Sequence, residues 1–299
     1  MSFSFDTKNE LCKIPVQRGC CARAEAYGVL LYCNTFSPRE IRIITEHPDF
    51  AMRLPKLFHR AFNLDFDRLP EEDVGKGKYI FQISDPEKLS SIVNALGYDP
   101  RQNMVLHINF GLLEEECCRA AFLRGVFLAG GSVTDPEKRY HLELATSHLQ
   151  ASREMAALLQ DMGYAPKDVV RSGYQVTYFK NSQQIEDLLT LAGAGVSAME
   201  LMNAKAEKDL RNGVNRRVNC EAANVGKVVD AAQEQLAAIS RLYELDRVED
   251  LPPKLKETII LRESFPELSL AELAAEFDPP ISKSALNHRL RKLIELSKQ

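Results

Sequence analysis

The side chains best placed to do chemistry cluster near the C-terminal end. From Ile281 to Lys292 the chain reads ISKSALNHRLRK. Leu286, Leu290, Leu293 and Ile294 recur at i, i+4, i+7 and i+8, the apolar stripe of an amphipathic helix, and Ser282 stands where an N-cap belongs. This spacing turns Ser284, Asn287 and His288 outward on the first turns, and Lys283 opens the helix. Arg291 and Lys292 follow, and Arg289 flanks the stripe. Lysine and asparagine can hydrogen-bond to guanine and adenine edges in a major groove, and further cations can hold phosphates. The expected DNA-binding set is Ser282, Lys283, Ser284, Asn287, His288, Arg289, Arg291 and Lys292, with Lys283, Ser284, Asn287 and His288 as base readers. A solvated basic helix end favoured by the macrodipole accounts for Arg291 and Lys292. It does not account for the uncharged polar residues nearer the start.

The elements that must position this helix are legible upstream. Leu255, Ile259, Ile260 and Arg262 share a helix that Pro266 stops. Ser269 and Glu272 form a capping box for the run from Leu270 to Phe277, and Asp278 to Ile281 makes the turn. Three helices over residues 248–299, the last two joined tightly, predict a helix-turn-helix. Residues 197–247 are rich in helix formers and lack proline, and they read as a helical linker. The basic, asparagine-rich run from Arg211 to Cys220 interrupts that composition. Arg211, Asn215, Arg216 and Arg217 are either part of a solvated loop between helices or a strip of phosphate contacts.

The first 196 residues contain one pattern twice. CCARAEAYGVLLYCNTF at 20–36 aligns without a gap with CCRAAFLRGVFLAGGSV at 117–133. The repeats span about residues 18–98 and 115–194. Each reads as a helix, a hairpin, a second helix, a strand and a last helix. In the second copy, Ser147 and Gln150 predict a capping box before Met155, Leu158, Leu159 and Met162, closed by Gly163. Ala24 and Gly28 are four apart, as are Ala121 and Gly125, and small residues at that spacing let two helix backbones approach closely. These four are the expected helix–helix packing residues.

This order resembles the LAGLIDADG homing-endonuclease fold, an α+β architecture with pseudo-two-fold symmetry. In that family an acid at the C-terminal end of each central helix holds metal beside the scissile phosphates. Laying the motif on Leu123–Gly131 and on Ala26–Asn34 places those acids at Gly130 and Cys33. Neither is a carboxylate, whereas magnesium takes oxygen ligands. The resemblance therefore implies a nuclease that has lost its activity. Phe122–Lys138, Asn215–Asn224 and Ile281–Lys292 together resemble the WhiA family of sporulation and cell-division transcription regulators over nearly the full length. That resemblance implies a degenerate endonuclease domain followed by an all-α helix-turn-helix similar to sigma-factor region 4. It also implies a bacterial DNA-binding regulator rather than an enzyme. The alternatives are an interaction module contacting RNA polymerase or a second transcription regulator, and a residual metal-dependent endonuclease, against which Cys33 and Gly130 stand.

Bulk composition bounds this reading without carrying it. The chain has 299 residues, 38 Lys and Arg against 42 Asp and Glu, and a net charge of −4. Overall charge therefore does not predict nucleic-acid binding, but residues 281–299 hold five cations against Glu295 alone. Few phosphate contacts imply modest affinity, so dimerisation or a partner becomes relevant. Arg39, Arg42, Lys138 and Arg139 on the hairpins could reach phosphates or be ordinary exposed strand residues. The seven cysteines include no CxxC pair, so the adjacent pairs read as small apolar packing residues, with no metal site and no cofactor expected. Gly75-Lys-Gly77 reads as a turn. With no signal or transmembrane run visible, the expectation is a cytoplasmic, nucleoid-associated protein whose partner is double-stranded DNA, with no membrane partner and no small-molecule substrate.

Overall fold

The structure is a computed structural model that describes residues 2–70, 77–98 and 105–298. Gly75 and Lys76 of the expected turn lie outside the described residues. The chain divides into two compact units, Met1–Lys208 and Asp209–Gln299.

The first unit is α+β and contains the repeat. After α1 (Phe3–Cys12), the first copy runs α2 (Gly19–Tyr32), β1 (Thr35–Phe36), β2 (Ile41–Thr45), α3 (Pro48–Phe62), β3 (Tyr79–Ile83) and α4 (Pro86–Ala95). The second runs α5 (Glu116–Gly130), β4 (Gly131–Val133), β5 (Leu142–Thr146), α6 (Leu149–Asp161), β6 (Lys167–Arg171), β7 (Tyr174–Phe179) and α7 (Ser182–Ala192). Each copy builds its own antiparallel sheet, β1-β2-β3 and β4-β5-β7-β6. Equivalent registers, such as Arg42 opposite Gln82 and Glu143 opposite Tyr178, display the repeat at the level of strand pairing.

Local chemistry explains most boundaries. Asp85 caps α4 by accepting from the amides of Glu87 and Lys88 at 2.8 and 3.1 Å, and Pro86 supplies the first helical residue. Gly163 and Gly193 follow α6 and α7 with φ of +87° and +105°, the left-handed conformation that ends helices. The expected capping box at Ser147 and Gln150 does not form. His148 occupies the N-cap position without a side-chain bond, and the Gln150 amide donates instead to Glu154 at 2.7 Å. Helix α1 and strand β6 were not anticipated. All five β6 residues are exposed, so β6 carries no apolar alternation; its pairing with β7 comes from the Ser172–Gly173 turn, with φ of 51° and 84°.

The core of this unit is built around α2 and α5. A Cβ on Gly28 would lie 2.8 Å from the Val126 amide nitrogen and closer still to the Phe122 carbonyl. A Cβ on Gly125 would meet the carbonyl of Glu25. Ala24 and Ala121 are buried beside these glycines. Ten residues of α2, from Ala22 to Tyr32, are buried, which makes it apolar nearly all round. Glu25 is the exception. Its carboxylate takes a two-point contact from Arg53 at 2.5 and 2.8 Å, with Arg124 Nε 3.8 Å away.

Helix α8 (Gly195–Glu244) begins in the first unit and ends in the second. The Arg211–Cys220 run does not interrupt it, which corrects the loop reading. An interior glycine or asparagine costs at most about 1 kcal/mol, and long flanks of Ala, Glu, Lys and Leu can carry the helix through. The second unit adds α9 (Pro253–Ser264), α10 (Leu270–Ala275) and α11 (Lys283–Ser297). Leu255, Ile259, Leu273, Phe277, Leu286, Leu290 and Leu293 join Ile239 and Leu242 in a separate core. The capping box of Ser269 and Glu272 is present in both directions.

Candidate nucleic-acid interface

Helix α11 has one side sealed and one side open. Leu286, Leu290 and Leu293 are buried, whereas Lys283, Ser284, His288, Arg291 and Lys292 are exposed and Asn287 is half-buried. Ser282 caps the helix, its hydroxyl accepting from the Ala285 amide at 3.2 Å. Among the described residues, the side chains of Lys283, Asn287, His288 and Arg291 have no hydrogen-bond or ion-pair partner. Lys292 reaches only Glu295, at 3.4 Å. The tight connection from α10 fixes this pose, with the Ile281 amide donating to the Ala274 carbonyl at 3.0 Å.

Arg289 is placed differently from its neighbours. Its guanidinium lies over the Phe277 ring at 5.2 Å and within 3.4 Å of both the Lys254 carbonyl and Glu257. These contacts lock α11 onto α9 and leave Arg289 little freedom to leave the fold. Sequence reasoning assigned no role to Arg262, which is 1% exposed. It donates to the Leu268 carbonyl at 2.7 Å and so fixes the turn between α9 and α10. Burial lowers its pKa. With Lys227, Gln235 and Lys283 it lines a cavity of about 170 Å³ at the start of α11. Its one sequence signal was an arginine at a core position of the α9 stripe.

On α8, Arg211, Asn215, Arg216 and Arg217 are all exposed, and Arg211 and Asn215 share a face at i, i+4. Arg42 is exposed on β2, whereas Arg39, Lys138 and Arg139 are exposed in the β1–β2 and β4–β5 connections rather than on strands, with Lys138 4.0 Å from Asp135.

The two positions where the motif would carry acids are closed to metal chemistry of the magnesium type. A Cβ on Gly130 would lie 2.8 Å from Cδ1 of the Tyr32 ring and overlap the Ala145 carbonyl, so no carboxylate fits there without displacing β5. Cys33 is buried, and its thiol is within 3.2 Å of the carbonyls of Leu30 and Thr35. Burial pushes that thiol up to about 12, so it stays neutral. Around these helix ends, Thr146 donates to the Leu31 carbonyl at 2.8 Å and Lys8 to the Leu128 carbonyl at 3.1 Å. A thiol, a lysine and packed backbone thus stand around these helix ends.

The opposite ends of the same helices bring together residues that the sequence reading kept apart. Cys20 and Cys21 of α2 meet Cys117 and Cys118 of α5, with the four sulfurs within 4.8 Å of one another. Adjacent-cysteine spacing matches no common metal-site pattern, so only the helix pairing reveals the cluster.

Family comparisons agree with this two-part construction. A family model described as the WhiA LAGLIDADG-like domain matches residues 119–211, and one described as the WhiA C-terminal HTH domain matches residues 214–297. A protein of Alkaliphilus metalliredigens named probable cell division protein WhiA is 36% identical over 309 residues, covering 99% of this chain and 98% of that one. Another of the same name, from Ruminiclostridium cellulolyticum, is 36% identical over 310 residues, covering 100% and 98%. Full-length WhiA of Thermotoga maritima superposes with a TM-score of 0.61 at 22% identity, covering 100% of this chain and 98% of that one, and so supports the fold. A repeated α+β unit of LAGLIDADG type, a helix-turn-helix and full-length kinship at this identity lead to one conclusion: the chain belongs to the WhiA family.

Proposed function

We propose that this protein is a sequence-specific DNA-binding transcription regulator of bacterial cell division or sporulation, with no nuclease activity. The supporting observation is the open polar side of α11, where Lys283, Asn287 and His288 lack protein partners above a sealed leucine face. Relatives carrying the name probable cell division protein support the biological setting. Lys283, Ser284, Asn287 and His288 read bases, Arg291 and Lys292 hold phosphates, and Arg289 braces the helix. Arg211, Asn215, Arg216 and Arg217 add phosphate contacts from α8. The protein works in the cytoplasm on the nucleoid; no helix among the described residues is long and apolar enough to cross a membrane.

The test is binding of the full-length protein to duplex DNA recovered by genome-wide occupancy. Specific binding that weakens in Asn287→Ala and His288→Ala supports the reading; equal affinity of wild type and both variants overturns it. Magnesium-dependent nicking by the purified wild type would overturn the loss of nuclease activity.

A second reading, contact with RNA polymerase or another regulator, is favoured by Ile260. It is 61% exposed on α9 within a groove lined by Leu251, Leu261, Glu257 and Glu276. Association with RNA polymerase that survives nuclease treatment and is lost in Ile260→Asp supports this reading. Both activities are compatible in one molecule.

A further inference from the structure

The pseudo-two-fold packing has a second consequence, at the N-terminal ends of α2 and α5. Each helix carries adjacent cysteines at its second and third positions. Because Gly28 and Gly125 draw the backbones into contact, the two pairs face each other across the pseudo-axis. Cys20 and Cys21 sulfurs are 3.9 Å apart, and all four lie within 4.8 Å. Four thiolates about 2.3 Å from a tetrahedral ion stand about 3.8 Å from one another. The observed spread therefore fits a single ion after small side-chain rotations. An iron–sulfur cluster, with its own irons and sulfides between the ligands, needs wider spacing.

The surroundings suit a thiolate site. Neither helix has a side-chain N-cap bond, and Glu116 stands in the first turn of α5. Arg18 places a guanidinium nitrogen 3.9 Å from the Cys117 sulfur. Cys118 is buried, Cys21 and Cys117 are half-buried and Cys20 is exposed, so the cluster is closed on the core side and open at one edge. A cavity of about 190 Å³, lined by Cys20, Arg23, Glu114, Glu115 and Cys118, leads to that edge.

We propose that Cys20, Cys21, Cys117 and Cys118 form a four-thiolate site for one soft divalent cation of the zinc class, clamping the two central helices together at their N-terminal ends. Binding forms four metal–sulfur bonds and releases the thiol protons to solvent, with no change in oxidation state. Such a site is structural rather than catalytic, because all four positions are filled by protein. It stands independently of the DNA-binding reading.

The test titrates full-length protein, stripped by chelator and held reduced, with cobalt and then zinc. The expected result is one cobalt per chain with the intense visible bands of tetrahedral thiolate coordination, bleached by one equivalent of zinc. Zinc should also protect four of the seven thiols from alkylation. Cys20→Ser, at the exposed corner where folding is least at risk, should weaken uptake at least tenfold. Cys117→Ser with Cys118→Ser should abolish uptake, with circular dichroism confirming the fold, and Cys220→Ser should leave it at one per chain. The proposal is overturned if the folded, reduced wild type binds no cobalt beyond the level of Cys20→Ser. It is also overturned if the bands are those of weak octahedral oxygen coordination, or if the cysteines pair as disulfides when the protein is purified under reductant.

Discussion

Helix α5 and helix α11 have the same length, 15 residues, and opposite relations to their surroundings. On α5 nearly every side chain from Ala121 to Leu128 is buried, and its glycine touches the backbone of α2. On α11 the leucines are buried, and among the described residues the side chains of Lys283, Asn287, His288 and Arg291 have no partner. Ancestry of the LAGLIDADG type would place an acid at the C-terminal end of the first helix, where Gly130 stands, whereas the second presents unpaired polar side chains along its outer side. The difference teaches that two helices of equal length in one chain can be built one for packing and one with an open polar side. It also separates two kinds of mutation: changes along α2 and α5 should act on stability, and changes on the outer side of α11 on DNA binding.

The largest effect should come from Glu25→Ala, which leaves Arg53 charged and 6% exposed without its partner. Removing one member of a buried pair costs about 3–5 kcal/mol, so chemical denaturation should show a lowered midpoint for the first unit. Next is Gly125→Ala, whose methyl group has no room beside the Glu25 carbonyl; overpacking of this kind costs about 1–3 kcal/mol. A wild-type melting temperature for either variant would break the contrast. Asn287→Ala and His288→Ala should each weaken specific DNA binding by about 1–3 kcal/mol. Both should keep a wild-type melting curve, and a matching loss of stability would show that the outer side of α11 is structural after all. Arg291→Ala should have a smaller, sequence-independent effect, reducing by about one the slope of log affinity against log salt.

The pH-dependent prediction concerns Lys8, whose pKa burial lowers from 10.5 to about 8. The fold disfavours its charged form, so the penalty is fully present below pH 8 and vanishes as the pH rises through 10.5. Lys8→Met should therefore melt higher than wild type at neutral pH, and the gap should close between pH 8 and 10.5. A gap that stays constant with pH would assign the effect to packing alone.

Much of this molecule was readable one residue at a time. The glycines at 28 and 125, the capping box at Ser269 and the leucine stripe of α11 each act through local geometry or a fixed period, so type and spacing were enough. Elements without such signals were missed. Strand β6 is exposed throughout and owes its existence to pairing with β7, and α1 lies ahead of the repeat that guided the reading. The Arg211 run read as a break because its composition changes, but helix propensity is summed over long windows, and α8 continues through it.

The sequence by itself determined the two-fold repeat, the absence of a carboxylate at positions 33 and 130 and the amphipathic last helix, because these are statements about residue identity and period. Only the tertiary structure decided which of those residues are available. It turned Arg289 inward onto Phe277, closed the space where a carboxylate at position 130 would stand, and gathered four thiols from positions 97 apart. The physical reason is that access and convergence depend on distances across the fold, which are set when helix backbones pack and do not appear in any local stretch of chain.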